Sequence, residues 1–251
     1  MKRCWKTLNQ MSLLGLMACS SGGPVEPVTS IHPLEQDALY ALELKMPVEA
    51  AYALDAALEK YQSIDDLAGQ WRIRYAIASI AFTNDDLIEA ATQADVLEEI
   101  AEQLNSATIK YKTYLMLGRS RDDEQYYYDA LNLASSTLQK AVARAYLGET
   151  GLAVELLEDA GSNNPGDRGF IYYQHALVTE SPTYFHLSLD AYRLAEDSRG
   201  VADSLVSLAR IEFANNRIRQ AQTYARRAVR VLESAGDSGR ARTVEDWLST
   251  L

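Results

Sequence analysis

The sequence predicts an all-α protein built as a solenoid of helical hairpins. Only 13 Gly and 6 Pro interrupt the 251 residues, apolar residues recur with helical spacing, and strand-like alternation is scarce. From Leu34 onward, amphipathic segments of about a dozen residues come in pairs divided by short polar breaks such as Asn215-Asn216. Each such segment can bury only one face, so repeated pairs favour stacked hairpins over a single closed core.

Small residues repeat at a fixed spacing within these pairs. A small residue in the first helix of a pair is followed 12 residues later by another in the second helix, and often seven residues after that by a third. Small side chains let neighbouring helices approach closely while larger residues interdigitate. The triples are Ala38, Ala50, Ala57; Ala78, Ala90, Leu97; Gly118, Ala130, Thr137; Ala141, Ala153, Ala160; Ala176, Ser188, Ala195; and Ala209, Ala221, Ala228.

This pattern resembles the tetratricopeptide repeat from about residue 34 to the end of the chain. The best match spans residues 201–230, where Leu205, Leu208-Ala209, Ala221 and Ala228 have the family's spacing. Successive first-helix small residues lie 40, 40, 23, 35 and 33 residues apart, a mean of about 34, which is the family's period. The resemblance implies a right-handed superhelical solenoid of about five to six hairpins with a concave face on the first helices.

Two local features refine this expectation, one in the middle of the chain and one at its last residues. The 23-residue step from Gly118 to Ala141 is too short for a full hairpin, so the third or fourth repeat is truncated or the register between Gly118 and Ala153 is different. Residues 240–251 place Val244, Trp247, Leu248 and Leu251 on one face. This segment is predicted to be the helix that caps the last repeat.

The first 18 residues have the plan of a signal peptide. Lys2, Arg3 and Lys6 precede an uncharged apolar stretch over residues 11–18. A helix needs about 20 apolar residues to cross a bilayer, so this stretch is too short for a permanent membrane span. We therefore expect residues 1–18 to be cleaved from the mature protein.

Leu16-Met17-Ala18-Cys19 resembles the lipobox of bacterial lipoproteins. The resemblance implies a diacylglycerol thioether on Cys19, cleavage before it and acylation of its amino group, which together anchor the protein firmly. The alternative is an ordinary secretory signal with an incidental Cys19. The lipid is favoured because Cys4, the other cysteine, lies in the segment to be removed and cannot form a disulfide with it.

The residues after the cysteine predict a location and a tether. By analogy with Gram-negative lipoproteins, Ser20 implies sorting to the outer membrane, with the body facing the periplasm. Residues 20–33 contain three prolines and two glycines without a helical pattern, so residues 19–33 form a lipidated tether. The helical repeat domain then comprises residues 34–251.

Charge and motifs restrict the function. The net charge is -11, or -14 after loss of the three basic residues of the signal peptide, and this repels nucleic acid. The sequence contains no familiar catalytic or metal-binding motif, so we expect no enzyme activity, cofactor or metal. A catalytic accessory such as a hydrolase with an unfamiliar site would need His175 or His186 beside a carboxylate.

Asp122-Asp123-Glu124 is interpreted as a helix N-terminus, because its spacing lacks the glycine and separated oxygens of a calcium loop.

The resemblance also implies a partner-binding groove on the first helices. The family's groove positions carry mainly aromatic and arginine residues, which are common at interface hot spots, although partial burial in ordinary packing is the alternative. The Lys and Asn arrangement that clamps a terminal carboxylate in chaperone-binding relatives does not occur. The groove positions are Arg72, Tyr75, Ser79 and Phe82; Lys112, Leu115 and Arg119; Phe170, Tyr173 and Leu177; and Asp203, Val206, Arg210 and Phe213.

Charge asymmetry provides a second candidate surface. Residues 201–251 carry a net charge of +2, whereas residues 19–200 carry -16. Arg219, Arg226 and Arg230 recur at helical spacing and form a basic stripe. The stripe is either a solvated face or a contact for an acidic partner, anionic lipid or another copy.

Together these features predict an outer-membrane lipoprotein that binds envelope proteins or peptide segments. It would act as a scaffold or adaptor for the assembly or stability of an envelope complex, such as pilus, secretion, barrel-assembly or cell-wall machinery. A self-associating structural protein is the main alternative, and a hydrolase accessory is another. Fold-level similarity alone does not decide among these functions.

Overall fold

A computed structural model describes residues 31–43, 47–84, 86–161 and 164–250. The signal peptide, Cys19 and all but the last three residues of the predicted tether lie outside the described residues. The described ranges contain 13 α-helices and no strand. They fall into two compact units, one ending at Ser135 and the other starting at Ser136.

The first unit contains six helices and the second contains seven. The first six are α1 (Pro33–Glu43), α2 (Pro47–Ser63), α3 (Leu67–Thr83), α4 (Leu87–Leu104), α5 (Ala107–Arg121) and α6 (Glu124–Leu133). The others are α7 (Thr137–Tyr146), α8 (Thr150–Ala160), α9 (Pro165–Thr179), α10 (Pro182–Leu194), α11 (Ser198–Ala214), α12 (Ile218–Ser234) and α13 (Ser238–Leu248). The prediction of an all-α protein is confirmed.

Consecutive helices pack as pairs in both units. In the first unit α1 packs on α2, α3 on α4 and α5 on α6; in the second, α7 packs on α8, α9 on α10 and α11 on α12. The last helix, α13, packs on α12. It starts two residues before the predicted cap and buries Val244, with Trp247 and Leu248 partly buried against the core.

The small-residue spacing marks these pairs. The first two members of every predicted triple are buried, one on each helix of a packed pair, as close helix packing requires. Five of the six first-helix residues are alanines with no exposed surface, and the sixth is the buried Gly118. The periodicity therefore located each pair correctly.

The short step between Gly118 and Ala141 reflects short helices. Gly118, Ala130, Ala141 and Ala153 lie on α5, α6, α7 and α8 in turn, so both hairpins are present. Helices α6 and α7 have only 10 residues each, and this shortening accounts for the reduced spacing. Thr137, the predicted third member of its triple, instead begins α7 and is exposed, because α6 ends at Leu133.

Polar side chains define the helix ends. The Asp66 carboxylate accepts a hydrogen bond from the Gly69 amide at 2.9 Å, and Asp197 and Asp237 cap α11 and α13 in the same way. Such caps stabilise a helix by about 1 kcal/mol each. Asp122 ends α5 in a left-handed conformation and Asp123 caps α6, which confirms the interpretation of this acidic cluster as a helix start.

Tyrosine rings fill spaces left by helix glycines. Tyr192 of α10 packs between Gly169 of α9 and Gly200 of α11; a methyl group added at Gly200 would lie 2.4 Å from the ring. Tyr127 packs on Gly118 in the first unit in the same manner. These glycines are therefore required for close approach rather than for an unusual backbone conformation.

Candidate binding faces

The first unit carries a face formed by α3 and α5. The guanidinium of Arg119 lies 4.4 Å from the centroid of the Phe82 ring, so side chains of the two first helices meet. Tyr75 stacks on Trp71 at 5.1 Å. Arg119 is exposed, and the other members are half-buried. This first-unit face consists of Tyr75, Ser79, Phe82, Lys112, Leu115 and Arg119.

Arg72, also predicted as a groove residue, forms an internal ion pair. Its Nε and Nη2 atoms donate to the two carboxylate oxygens of Glu35, each at 3.0 Å, and Nη2 also donates to the Tyr61 hydroxyl at 3.2 Å. The Tyr61 hydroxyl in turn donates to Glu35, and it accepts from the His32 amide at 3.0 Å. The arrangement joins α1, α2 and α3 in one polar network.

Burial and charge act together on this network. Burial lowers the pKa of Arg72, but hydrogen bonding and proximity to Glu35 more than offset it, so the pKa is raised overall. Burial and the hydrogen bond to Glu35 raise the pKa of Tyr61. Because the Arg72 side chain is only 17% exposed, its main physical role is to neutralise a buried carboxylate.

The second unit carries a corresponding face on its first helices. Tyr146 of α7 packs on Phe170 of α9 with ring centroids 4.5 Å apart. The hydroxyls of Tyr173 and Ser207 lie 3.3 Å apart and link α9 to α11. Aromatic residues are thus held by contacts between first helices.

The same face continues from α11 to α13. Phe213 meets Trp247 edge-on at 6.2 Å and remains 45% exposed. Arg210 and Leu177 are also exposed. This second-unit face consists of the predicted residues Phe170, Tyr173, Leu177, Val206, Arg210 and Phe213, together with Trp247 of the capping helix.

Asp203, the remaining predicted groove residue, forms an ion pair with Arg240 of α13. Burial raises the pKa of the Asp203 carboxyl, while the neighbouring Arg240 opposes that shift. Sequence reasoning missed Arg240 as a partner because the two residues are 37 positions apart. The charge of Asp203 therefore contributes to the packing of the capping helix α13 as well as to the second-unit face.

The predicted basic stripe lies on α12. Arg219, Arg226 and Arg230 are all exposed. In the described part of the chain, no carboxylate lies within ion-pairing distance of these three residues. The sequence did not indicate that Arg230 also lines a cleft with Arg227 of the same helix and Arg193 of α10.

Of the two histidines in the second unit, His175 is partly buried and His186 is exposed. His175 Nδ1 lies 3.1 Å from the Thr150 hydroxyl, and its ring meets Tyr184 edge-on at 4.4 Å. His186 lies near Tyr224 and contributes, after Arg217, to lowering the pKa of Glu212. Over the described residues, no group of three or more His, Cys, Asp or Glu side chains is arranged to hold a metal ion.

Within the same residues, no helix combines the length and apolar character needed to cross a membrane. Comparisons with protein-family models, with curated proteins and with solved structures found no match. The surfaces of the two units therefore carry the information on function.

Proposed function

We propose that this chain is a lipid-anchored adaptor of the bacterial outer membrane, built from tetratricopeptide-like repeats in a right-handed superhelix. It binds segments of periplasmic envelope proteins through the first helices of its hairpins. The observation that supports the proposal is that aromatic and arginine side chains on these helices contact one another across neighbouring hairpins. They form rows that remain partly open to solvent in each unit.

The chemistry of these rows suits protein recognition. Aromatic rings supply a large apolar area at low entropic cost, and arginine adds charge and stacking, which is why both types are common hot spots. Arg119 is pre-ordered over Phe82, and Phe213 is supported by Trp247. Residues fixed before binding lose less conformational freedom when a partner docks.

Affinity purification of the full-length chain tests the adaptor proposal. Chains with an affinity tag would be crosslinked in cells, solubilised in detergent and analysed for co-purified envelope proteins. Removing a hot spot costs at least about 2 kcal/mol, or roughly a 30-fold loss of affinity, so we expect Phe213→Ala to reduce the recovery of the partner severely. Ile88→Ala, at an 83% exposed position of α4, is the matched control and should leave recovery unchanged.

Two outcomes would count against the adaptor. One is recovery of no envelope protein above the level of an untagged strain, and the other is equal loss with the Phe213 and Ile88 variants. The anchor is tested separately by Cys19→Ser, which should move the protein from the membrane fraction to the soluble fraction. Continued membrane retention of that variant would exclude lipidation as the anchor.

A further inference from the structure

A cleft in the second unit combines an apolar floor with an arginine rim. Val201 and Leu205 of α11 and Val231 of α12 form the floor, and Arg193, Arg227 and Arg230 form the rim. We call this surface the arginine cleft. It is an open cleft with a volume of about 380 Å³, within the range of pockets that accept a small ligand or a large side chain.

The positive charge of the rim is largely uncompensated within the described chain. Arg227 packs over the Tyr224 ring at 5.5 Å, and Arg230 has no carboxylate within ion-pairing distance among the described residues. Only Arg193 forms an ion pair, with the exposed Asp190 at 2.8 Å. Residues 213–232 contain five arginines and no acidic residue, although the whole chain is acidic. The arginine cleft is therefore suited to a guest with negative charge around an apolar body.

A surface with this complementary character exists on α2 of the first unit. Val48, Tyr52, Asp55 and Glu59 lie on one side of that helix, since they are separated by four, three and four residues. Tyr52 is 75% exposed and Val48 62% exposed. Neither Asp55 nor Glu59 has a cation within ion-pairing distance among the described residues. We call these four residues the α2 face.

We propose that the α2 face of one copy docks in the arginine cleft of a second copy. Tyr52 enters the cleft, where its ring packs on the apolar floor and beneath a guanidinium, as in cation–π contacts. Asp55 and Glu59, one and two turns further along the helix, then meet the arginine rim. The cleft combines an apolar floor with three arginines, and a helix that presents an aromatic ring one turn before two carboxylates matches both features, which favours a protein guest over anionic lipid.

Both halves of the described chain carry a net negative charge, so attraction between two copies must come from a short-range contact. Residues 31–135 have eight Lys and Arg against 19 Asp and Glu, whereas residues 136–251 have 13 against 15. At physiological ionic strength, charges more than about 8 Å apart are largely screened, so short-range pairing in the cleft outweighs the repulsion between distant acidic surfaces. Because the face and the cleft are different surfaces, the contact joins copies head to tail and leads to rings or open chains.

Co-expression of two differently tagged full-length chains tests this contact. Detergent extracts are passed over resin for one tag, and recovery of the other tag is measured. The face variant carries Tyr52→Ala, Asp55→Ala and Glu59→Ala; the cleft variant carries Arg227→Glu and Arg230→Glu. We expect each variant to recover its own differently tagged copy at least tenfold less than the wild type. A face variant paired with a cleft variant should restore recovery, because one intact face and one intact cleft remain.

Matched variants and a crosslink distinguish this contact from other forms of association. Arg219→Glu with Arg226→Glu makes the same charge change on α12 outside the cleft and should retain recovery. Tyr52→Cys on one chain and Ser234→Cys, at the end of the cleft, on the other should form an intermolecular disulfide under added oxidant. Ile88→Cys in place of Tyr52→Cys should not.

Three results would overturn the proposal. The first is absence of wild-type self-recovery, and the second is failure of the mixed pair to recover one another while both variants keep wild-type thermal unfolding. The third is unchanged self-recovery in the cleft variant, with binding to phosphatidylglycerol vesicles lost instead, which would assign the cleft to lipid. The adaptor function does not depend on this contact and is tested by different substitutions.

Discussion

One buried polar network in the first unit differs in its chemistry from one in the second unit. In the first unit Glu35, Tyr61 and Arg72 form an ionic network across three helices. In the second unit Ser188 donates to the Gly169 carbonyl and lies 3.1 Å from the Ser204 hydroxyl, so the network is neutral. A shared arrangement of paired helices therefore does not determine which polar contacts form inside it. The two networks should respond differently to substitution.

The largest expected effect is in the ionic network. Arg72→Met leaves the carboxylate of Glu35, a residue only 5% exposed, without its cation. Breaking a buried pair in this way costs about 3–5 kcal/mol, whereas replacing both partners by apolar residues is often nearly neutral. We therefore expect Arg72→Met to destabilise the first unit strongly and Glu35→Leu with Arg72→Met to recover most of the loss.

Hydrogen exchange of the full chain measures this difference between units. Amides of α1–α3 should exchange much faster in the Arg72→Met variant, with those of α9–α11 little changed. A single variant as stable as the double variant would show that the ion pair contributes nothing specific.

The second expected effect concerns the glycine contacts of Tyr192. Gly200→Ala places a methyl group against a ring that also packs closely on Gly169, so the ring has little room to move. Overpacking of this kind costs about 1–3 kcal/mol. Gly239→Ala, at the start of α13 with no atom near the added methyl group, is the control and should be neutral or slightly stabilising. Denaturant unfolding of the full chain provides the measurement, and equal stability of the two variants would contradict the packing described for Tyr192.

The third expected effect is a loss of stability in alkaline solution. Burial raises the pKa of Tyr192 well above its ordinary value of 10.0. The folded state thus favours the neutral phenol, and this stability is fully present below pH 10 and is lost as the pH rises towards the folded-state pKa. One tyrosine accounts for about 1.4 kcal/mol per pH unit over that window.

Tyr192→Phe isolates this contribution. We expect its unfolding free energy to fall less steeply above pH 10 than that of the wild type. An identical slope in both proteins would mean that Tyr192 ionises as readily when folded as when unfolded.

The smallest expected effect is in the neutral network. Ser188→Ala removes one hydrogen bond to the Gly169 carbonyl at 2.9 Å, while Ser204 keeps its bond to the Gly200 carbonyl. A typical buried hydrogen bond contributes about 0.5–1.5 kcal/mol, and alanine occupies the equivalent second-helix position in the other five hairpins. Thermal unfolding should show only a small decrease. A loss as large as that of Arg72→Met would remove the distinction between the two networks.

The sequence predicted the elements that depend on local periodicity. Ala38, Ala78 and Ala209 mark first helices because a small side chain recurs wherever two helices must approach closely, and the matching second-helix residues follow at constant spacing. The helix start at Asp123 was also predictable, because its capping chemistry involves neighbours in sequence.

The polar contacts could not be predicted in the same way. Glu35 and Arg72 are 37 residues apart, and nothing in the pattern around either residue indicates the other. The sequence pattern therefore indicates a groove position for Arg72, although its guanidinium faces inward. Only part of the arginine cleft could be predicted. Arg230 belongs to a stripe with helical spacing, but Arg193 lies on another helix and comes close to Arg230 only when the chain folds.

The proposal that first-helix faces bind envelope proteins is tested most directly by photocrosslinking in cells. A photoreactive amino acid would replace Phe213 or Leu115 on these faces and, as a control, the exposed Ile88 on a second helix. We predict discrete adducts with the same envelope protein from both face positions and none with that protein from Ile88. Adducts that are absent from both face positions, or equally abundant at Ile88, would contradict a partner-binding face on the first helices.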